Sequence, residues 1–413
     1  MKILKAFKWL YPGMWVKRWI LLTVFGIIMI SMGFVMTILE QNTKNKTFTG
    51  IVIIVGILAV ITGIKRIVKS FVTIFLPDRE GQLVDKMYQK RILERGPRLV
   101  VIGGGTGLSM LLHGLKEYTS NITAIVTVAD DGGSSGRLRQ DFDVLPPGDI
   151  RNCLVALADA EPLMGKLFQF RFGEGSELSG HNFGNLFITA MSKVTGDFDA
   201  AIKESSKVLA IRGSVLPSTL DKVTLVAEHT DGSQTMGESQ IPKAGVPIKR
   251  ILLRPANAKP TEEAIDAVRR ADAIMLGPGS LYTSIMPNLL VSRMYKEVLS
   301  SKAVKIYVCN VMTQKGETDD FTASDHLRTI IEHTAPGIAD YAIVNTAKIS
   351  DDLLKKYKEE GSDPVIPDVD NFKKFKCKVV KAHIVSTKDY VRHDASKLAK
   401  IIVDLVASLK KSK

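Results

Sequence analysis

Leu99-Val-Val-Ile-Gly-Gly-Gly-Thr-Gly107 and, one strand later, Val126-Thr-Val-Ala-Asp-Asp-Gly-Gly-Ser-Ser-Gly-Arg137 decide how this chain is read. In the first stretch a short apolar run breaks into glycines and is followed by the helical pattern Leu108–Tyr118. That order spells a strand, a tight turn and a helix N-terminus. Glycines permit positive φ and close backbone approach, and a helix start offers unpaired N–H groups to a phosphate. The second stretch is another strand, ending in paired carboxylates and a second glycine-rich loop. Together they read as the core of a nucleotide or sugar-nucleotide site. Gly103, Gly104, Gly105, Thr106 and Gly107 form one side, and Gly132, Gly133, Ser134, Ser135 and Arg137 the other.

The first loop is not a P-loop, because no Gly-Lys-Ser/Thr follows it. It is not a strict dinucleotide fingerprint either, since Leu108 stands where the last glycine belongs. Asp130 and Asp131, at the strand end, are the candidate catalytic and metal-holding residues. Paired carboxylates there suit a ribose hydroxyl or a divalent cation such as Mg²⁺. Adjacent aspartates also serve as turn residues; the loop after them, with its hydroxyls and a guanidinium, is what favours an anion site.

Outward from this core the pattern alternates. Strand-like runs occur at Leu99–Ile102, Ile122–Ala129, Val223–Glu228, Ala273–Leu276, Val304–Cys309 and Tyr341–Val344, with helical patterns such as Thr261–Arg270 and Asn288–Ser300 between them. Val/Ile-rich strands alternating with helices predict an α/β body: a Rossmann-like, mostly parallel sheet covered on both faces. Further loops fall at predicted strand or helix ends. In Pro146-Pro-Gly-Asp-Ile-Arg-Asn152, Asp149 is either a helix cap or a site residue. Gly180-His-Asn-Phe-Gly-Asn185 brings Asn182 and Asn185 to a helix start. Leu276-Gly-Pro-Gly-Ser-Leu-Tyr-Thr-Ser284 repeats the strand–glycine–helix order, making Gly277, Gly279 and Ser280 ligand candidates.

The 413-residue chain carries a net charge of +13, but residues 1–95 hold 15 Lys/Arg against 5 Asp/Glu, and the remainder is nearly balanced at 41 against 38. The basic excess is therefore local, which argues against nucleic acid as a partner. Trp19–Leu39 and Thr47–Ile64 are uncharged runs of 21 and 18 residues, long enough to cross a bilayer as helices. Lys17 and Arg18 precede the first run, and Lys65, Arg66 and Lys69 follow the second. Residues 1–76 thus read as a two-span membrane hairpin with both termini cytoplasmic. Residues 77–97 read as a helical linker, with an amphipathic helix over 78–95, and 98–413 as the cytoplasmic domain. Cys153, Cys309 and Cys377 are far apart, which fits a reducing compartment and speaks against a cysteine metal site.

The glycine loops, Pro147-Gly-Asp-Ile-Arg-Asn152, Gly277-Pro-Gly-Ser-Leu-Tyr-Thr283 and Asn310-Val-Met-Thr-Gln-Lys-Gly-Glu-Thr318 together resemble the YvcK-type gluconeogenesis factors, relatives of the CofD-like 2-phospho-L-lactate transferases. The resemblance spans nearly all of residues 98–405. It implies a Rossmann-like homo-oligomer that binds UDP-N-acetylglucosamine. It also implies a link between carbon metabolism, peptidoglycan precursor supply and cell shape, through glucosamine-6-phosphate synthase as partner. On the same grounds Tyr357 in Lys355-Lys-Tyr357 and Arg392 in Arg392-His-Asp394 are ligand contacts. Tyrosine suits stacking or a hydroxyl bond, and arginine suits a pyrophosphate. A phosphorylatable threonine follows the Arg-His-Asp motif in some relatives; Ala395 stands here and excludes that control. Two functional expectations follow: a regulator that binds the UDP-sugar, or a Mg²⁺-dependent uridylyltransferase that makes it from UTP and N-acetylglucosamine 1-phosphate. The imperfect fingerprint disfavours an NAD-dependent oxidoreductase.

Overall fold

The computed structural model describes residues 16–39, 43–75, 91–159, 162–175, 177–349, 351–359, 361–386 and 392–411. The chain divides into two compact units at Arg91/Ile92. Of the amphipathic helix expected over 78–95, residues 78–90 lie outside the described residues.

The first unit is a helical hairpin, α1 (Val16–Leu39) and α2 (Thr43–Phe75). Both helices are long and apolar enough to cross a membrane. Their outer faces are bare, with Leu21 67%, Phe34 63% and Leu39 78% exposed, unlike the helices of a water-soluble core. The second helix runs past the expected end at Ile64 and carries Lys65, Arg66 and Lys69 within it. The seam between the two is built on small residues: a Cβ added to Gly26 would stand 2.7 Å from the Gly56 carbonyl oxygen and 2.8 Å from Val60. Small residues let apolar helices approach where no hydrophobic effect separates them from lipid. Near the open end, the Arg66 guanidinium lies 5.2 Å from the Trp19 ring centroid.

In the second unit the chain forms β1 (Leu99–Gly103), α3 (Gly105–Leu115), β2 (Ile122–Val126), α4 (Gly133–Phe142), α5 (Gly148–Leu157), α6 (Pro162–Gln169), α7 (Phe183–Thr195), α8 (Phe198–Val208) and β3 (Ser214–Pro217). An excursion of β4 (Thr224–His229), β5 (Gln234–Met236) and β6 (Ile248–Arg254) follows. The chain continues through α9 (Glu262–Arg270), β7 (Ala273–Leu276), α10 (Met286–Leu290), α11 (Met294–Ser300), β8 (Val304–Val308), α12 (Ala323–His333), β9 (Tyr341–Asn345), α13 (Asp351–Glu359) and β10 (Lys378–Ala382). A short ribbon of β11 (Val385–Ser386) and β12 (Arg392–His393) precedes the last helix, α14 (Ala395–Lys411).

Seven strands make one parallel sheet in the order β10-β9-β8-β7-β1-β2-β3. The chain runs outward from β1 to β3, then returns to the other side of β1 and runs outward again. The reversal between β1 and β7 is a switch point, the place where loops diverge and leave a crevice beyond the strand carboxyl ends. All five residues of β1 and all four of β7 are buried, as central strands covered on both faces must be. Leu108, Leu111, Leu112 and Leu115 of α3 are 0–1% exposed, each contributing about 1.5–3 kcal/mol through burial. Helix α14 packs along α3 through buried Leu398, Ala399, Ile402 and Val406, spaced to share one helical face.

The mostly parallel α/β body agrees with the alternating pattern of the sequence, and particular elements differ. Val223–Glu228 is a strand, but it belongs to a separate antiparallel sheet with β5 and β6. The second strand stops at Val126, and Thr127–Gly132 is loop. The helix expected over Asn288–Ser300 is broken at Arg293, which sits at φ 68°.

A Gly26→Leu replacement should wedge the hairpin apart. The interhelix distance between paired spin labels in lipid nanodiscs should lengthen, while the melting of the second unit stays unchanged.

Candidate functional site

At the switch point the loops after β1 and β7 meet backbone to backbone. A Cβ on Gly107 would stand 2.8 Å from the Pro278 carbonyl oxygen, and one on Gly279 3.3 Å from the Gly104 carbonyl oxygen. The fully buried Asn288 ties the two together: its Nδ2 donates to the Gly103 carbonyl (2.9 Å) and to the Ser284 carbonyl (2.7 Å). Gly103–Gly107 and Gly277–Ser280, predicted separately, are therefore one structure.

Helix α3 starts at Gly105, so Thr106 and Gly107 are in its first turn, where N–H groups lack helical partners. With Gly279, Ser280 and the segment Asn310–Gln314 they line a cleft of about 220 Å³, closed at one edge by His393. Ser280 Oγ donates to the Glu317 carboxylate and accepts from the Thr283 N–H (3.2 Å), capping the turn Leu281–Ile285. The Gly279 N–H donates to Asn310 Oδ1 at 3.3 Å. His393 Nε2 donates to the Cys309 carbonyl at 3.0 Å, and burial pulls its pKa down to about 4, so it is neutral at pH 7.

Beyond β2 the two aspartates part company. Asp130 Oδ1 accepts from the Gly132 N–H at 2.9 Å, and burial raises its pKa. Asp131 Oδ1 accepts from the Ser239 N–H at 2.8 Å, across from the antiparallel sheet. Asp149, in the first turn of α5, is not the cap of that helix; Pro147 holds that position. Its carboxylate lies under the first glycine loop: a Cβ on Gly104 would stand 2.5 Å from Oδ2. It accepts from the Gly105 N–H, and burial lifts its pKa to about 6, with the nearby Asp130 adding to the rise. Burial, then the charges of Asp130, Glu317, Asp149 and Asp131, push Glu238 up to about 8. Burial likewise brings Glu317 to about 7, against the opposing hydrogen bond from Ser280.

The hard oxygen donors of this cluster suit Mg²⁺ or Mn²⁺, and their raised pKa values mark a place short of positive charge. Among the described residues, however, no three His, Cys, Asp or Glu side chains are placed to hold one ion.

The remaining predicted residues fall into two groups. Ser134 Oγ receives the Asn182 N–H (3.3 Å) and Asn185 Nδ2 (3.2 Å) and lies 3.3 Å from His181 Nδ1. Asn182 caps α7, and Arg137 Nη2 donates to the Ser179 carbonyl at 2.9 Å. These groups, with Gly132, Gly133 and Ser135 at the start of α4, join α4 to α7 on the β2 side of the crevice. Tyr357, on α13, packs with Val311, Met312 and Val385, one layer behind the cleft wall. The backbone of Arg392 pairs with Ser386; its side chain lies outside the described residues. Glu238, Asn288 and Gln314 were not singled out from sequence. Gly237-Glu238 follows a strand and Gly237 sits at φ 99°, so a glycine-punctuated acid was the available signal.

The architecture defines a doubly wound α/β protein with a glycine-loop crevice at its switch point. A family model described as "2-phospho-L-lactate transferase CofD" matches residues 99–385. The gluconeogenesis factor of Bacillus subtilis is 51% identical over 311 residues, covering 75% of this chain and 98% of that protein. A Nostoc sp. relative is 48% identical over 420 residues, covering 96% of this chain and 92% of its own. The crystal structure of protein BH3568 from Bacillus halodurans superposes with a TM-score of 0.73 at 51% identity, covering 75% of this chain and all of that one. The chain belongs to the YvcK-type gluconeogenesis factor family, with a CofD-like fold.

Glu238 makes stability depend on pH. Between about 4.5 and about 8 the folded chain keeps a proton that the unfolded chain has lost, so stability falls as pH rises through that window. Glu238→Gln removes the part of this dependence that Glu238 contributes, while Asp149 and Glu317 keep theirs. Its melting temperature should exceed that of the parent protein by a margin that grows from pH 5 to pH 8.5 in calorimetry without ligand.

Proposed function

We propose that this chain is a membrane-anchored UDP-N-acetylglucosamine-binding regulatory protein, linking carbon metabolism to peptidoglycan precursor synthesis and cell shape. The observation that carries the reading is the cleft at the β1/β7 switch point. Two glycine loops are locked together there, and the first turn of α3 faces the space between them. The diphosphate takes the α3 N-terminus, and Gly279–Ser280 flank it. Regulation acts through a partner enzyme, glucosamine-6-phosphate synthase, and the chain works as a homo-oligomer. Both hairpin helices span the membrane. The basic residues Lys17, Arg18, Lys65, Arg66 and Lys69 lie at their cytoplasmic ends, with the second unit in the cytoplasm.

One observation favours a second reading, a Mg²⁺-dependent uridylyltransferase. The carboxylates of Asp130, Asp149 and Glu238 gather beside the phosphate loop, and the matching family model bears a transferase name. When bound, Mg²⁺ would offset phosphate charge there. Asp130 and Asp149 would hold it, while Asp131 fixes the Ser239 loop.

Titration calorimetry of the full chain in detergent micelles should show saturable UDP-N-acetylglucosamine binding. Gly107→Val, which drives a side chain into Pro278, should weaken it at least about tenfold. Pyrophosphate release from UTP and N-acetylglucosamine 1-phosphate that Asp130→Asn abolishes would replace the regulatory reading with the enzymatic one. Cell fractionation should place the full chain in the membrane and a chain starting at Gly96 in the cytosol.

A further inference from the structure

The cleft is unusual for a place that receives a diphosphate. Among the described residues, no lysine or arginine lines it. Its anion-binding capacity lies on one wall, at Thr106 and Gly107 in the first turn of α3. The opposite wall, after β7 and β8, carries Ser280, Asn310 and Gln314 as its polar side chains. The helix start at Ser280 is already occupied by the Glu317 carboxylate, which is 8% exposed and takes the Ser280 hydroxyl proton. A phosphate placed on that wall would meet a carboxylate behind Ser280. Gln314 lines the same cleft, and its Oε1 is buried with no hydrogen-bond partner among the described residues. The Gln314 backbone is fixed, its N–H donating to Thr318 Oγ1 at 2.9 Å. A buried acceptor left without a donor costs free energy unless something supplies one.

We propose that Gln314 is a specificity-determining residue whose side-chain carbonyl accepts a hydrogen bond from a neutral N–H or O–H group of the bound nucleotide sugar. The proposal rests on the UDP-sugar reading above and adds a direction to it. Phosphates lie toward α3, and an uncharged, donor-bearing part of the ligand lies toward Gln314. Three parts of a UDP-sugar carry such a donor: the uracil ring, the ribose hydroxyls and the N-acetyl sugar.

The test is calorimetric titration of the full chain in detergent micelles with UDP-N-acetylglucosamine and, separately, UDP. Gln314→Leu keeps the side-chain size and removes the acceptor. It should weaken UDP-N-acetylglucosamine binding about tenfold, the scale of one neutral hydrogen bond and an unsatisfied ligand donor. Gln314→Glu keeps an acceptor at the same reach and should bind the UDP-sugar more tightly than Gln314→Leu does. An unchanged UDP affinity in Gln314→Leu assigns the contact to the N-acetyl sugar, and an equal loss for UDP assigns it to the uridine, through uracil or ribose; both support the proposal. Equal affinity of Gln314→Leu and the parent for both ligands overturns it, as does Gln314→Glu binding more weakly than Gln314→Leu, the mark of a phosphate neighbour. A parent chain that binds no UDP-N-acetylglucosamine overturns the UDP-sugar reading itself, and the proposal with it. Matching melting temperatures separate these effects from misfolding.

Discussion

The packing of one main chain directly on another, Gly107 against the Pro278 carbonyl, sets the geometry on which the rest of the site depends. Adjacent parallel strands bring their carboxyl ends together, but side chains ordinarily keep the following loops apart. Without a Cβ at Gly107 the two loops close. Asn288, buried between them, then meets carbonyls from both sides that would otherwise lack donors. A rigid wall results, and it allows the start of α3 to face a cleft rather than solvent. The strand order explains why this happens here: only at the β1/β7 reversal do the two halves of the sheet send their connections in opposite directions.

Charge on the two sides of this wall is arranged asymmetrically. Toward β2, the carboxylates of Asp130, Asp149 and Glu238 crowd together, and burial and mutual repulsion raise their pKa values. Toward β8, Glu317 occupies a helix start that would otherwise attract an anion. Carboxylates buried this close together oppose stability, and such arrangements persist where function demands them. On the proposed reading, the start of α3 is the one short turn suited to a phosphate, with carboxylates on either side of it.

Much of this was legible in the sequence because local rules governed it. The glycine breaks after β1 and β7, and the Val/Ile-rich central strands, express constraints that act within a few residues. The parallel sheet followed from them. What escaped was set by long-range partners. Ser214–Pro217 is too short to announce itself and is a strand because β2 pairs with it. Val223–Glu228 has a strand's composition, but composition does not say which sheet a strand joins. Asp149 could be weighed evenly as cap or site residue, and only the position of Gly104 above it decides in favour of a contact with the loop. Glu238 sits in a polar loop that resembles any other, and Gln314 stands within the Asn310–Thr318 motif, whose local pattern does not say that the residue lines the cleft.

The second unit receives the chain at the amino-terminal edge of its sheet, where the Leu99 N–H meets the Asn121 carbonyl and the Ser120 N–H meets the Leu93 carbonyl. The cleft lies at the carboxyl edge. The chain therefore enters this unit at the end of the sheet opposite the cleft. Relatives that three quarters of this chain match almost end to end stand beside one that matches nearly all of it. That is the pattern expected of a separable module: the α/β unit of this family occurs both with and without the residues that precede it here.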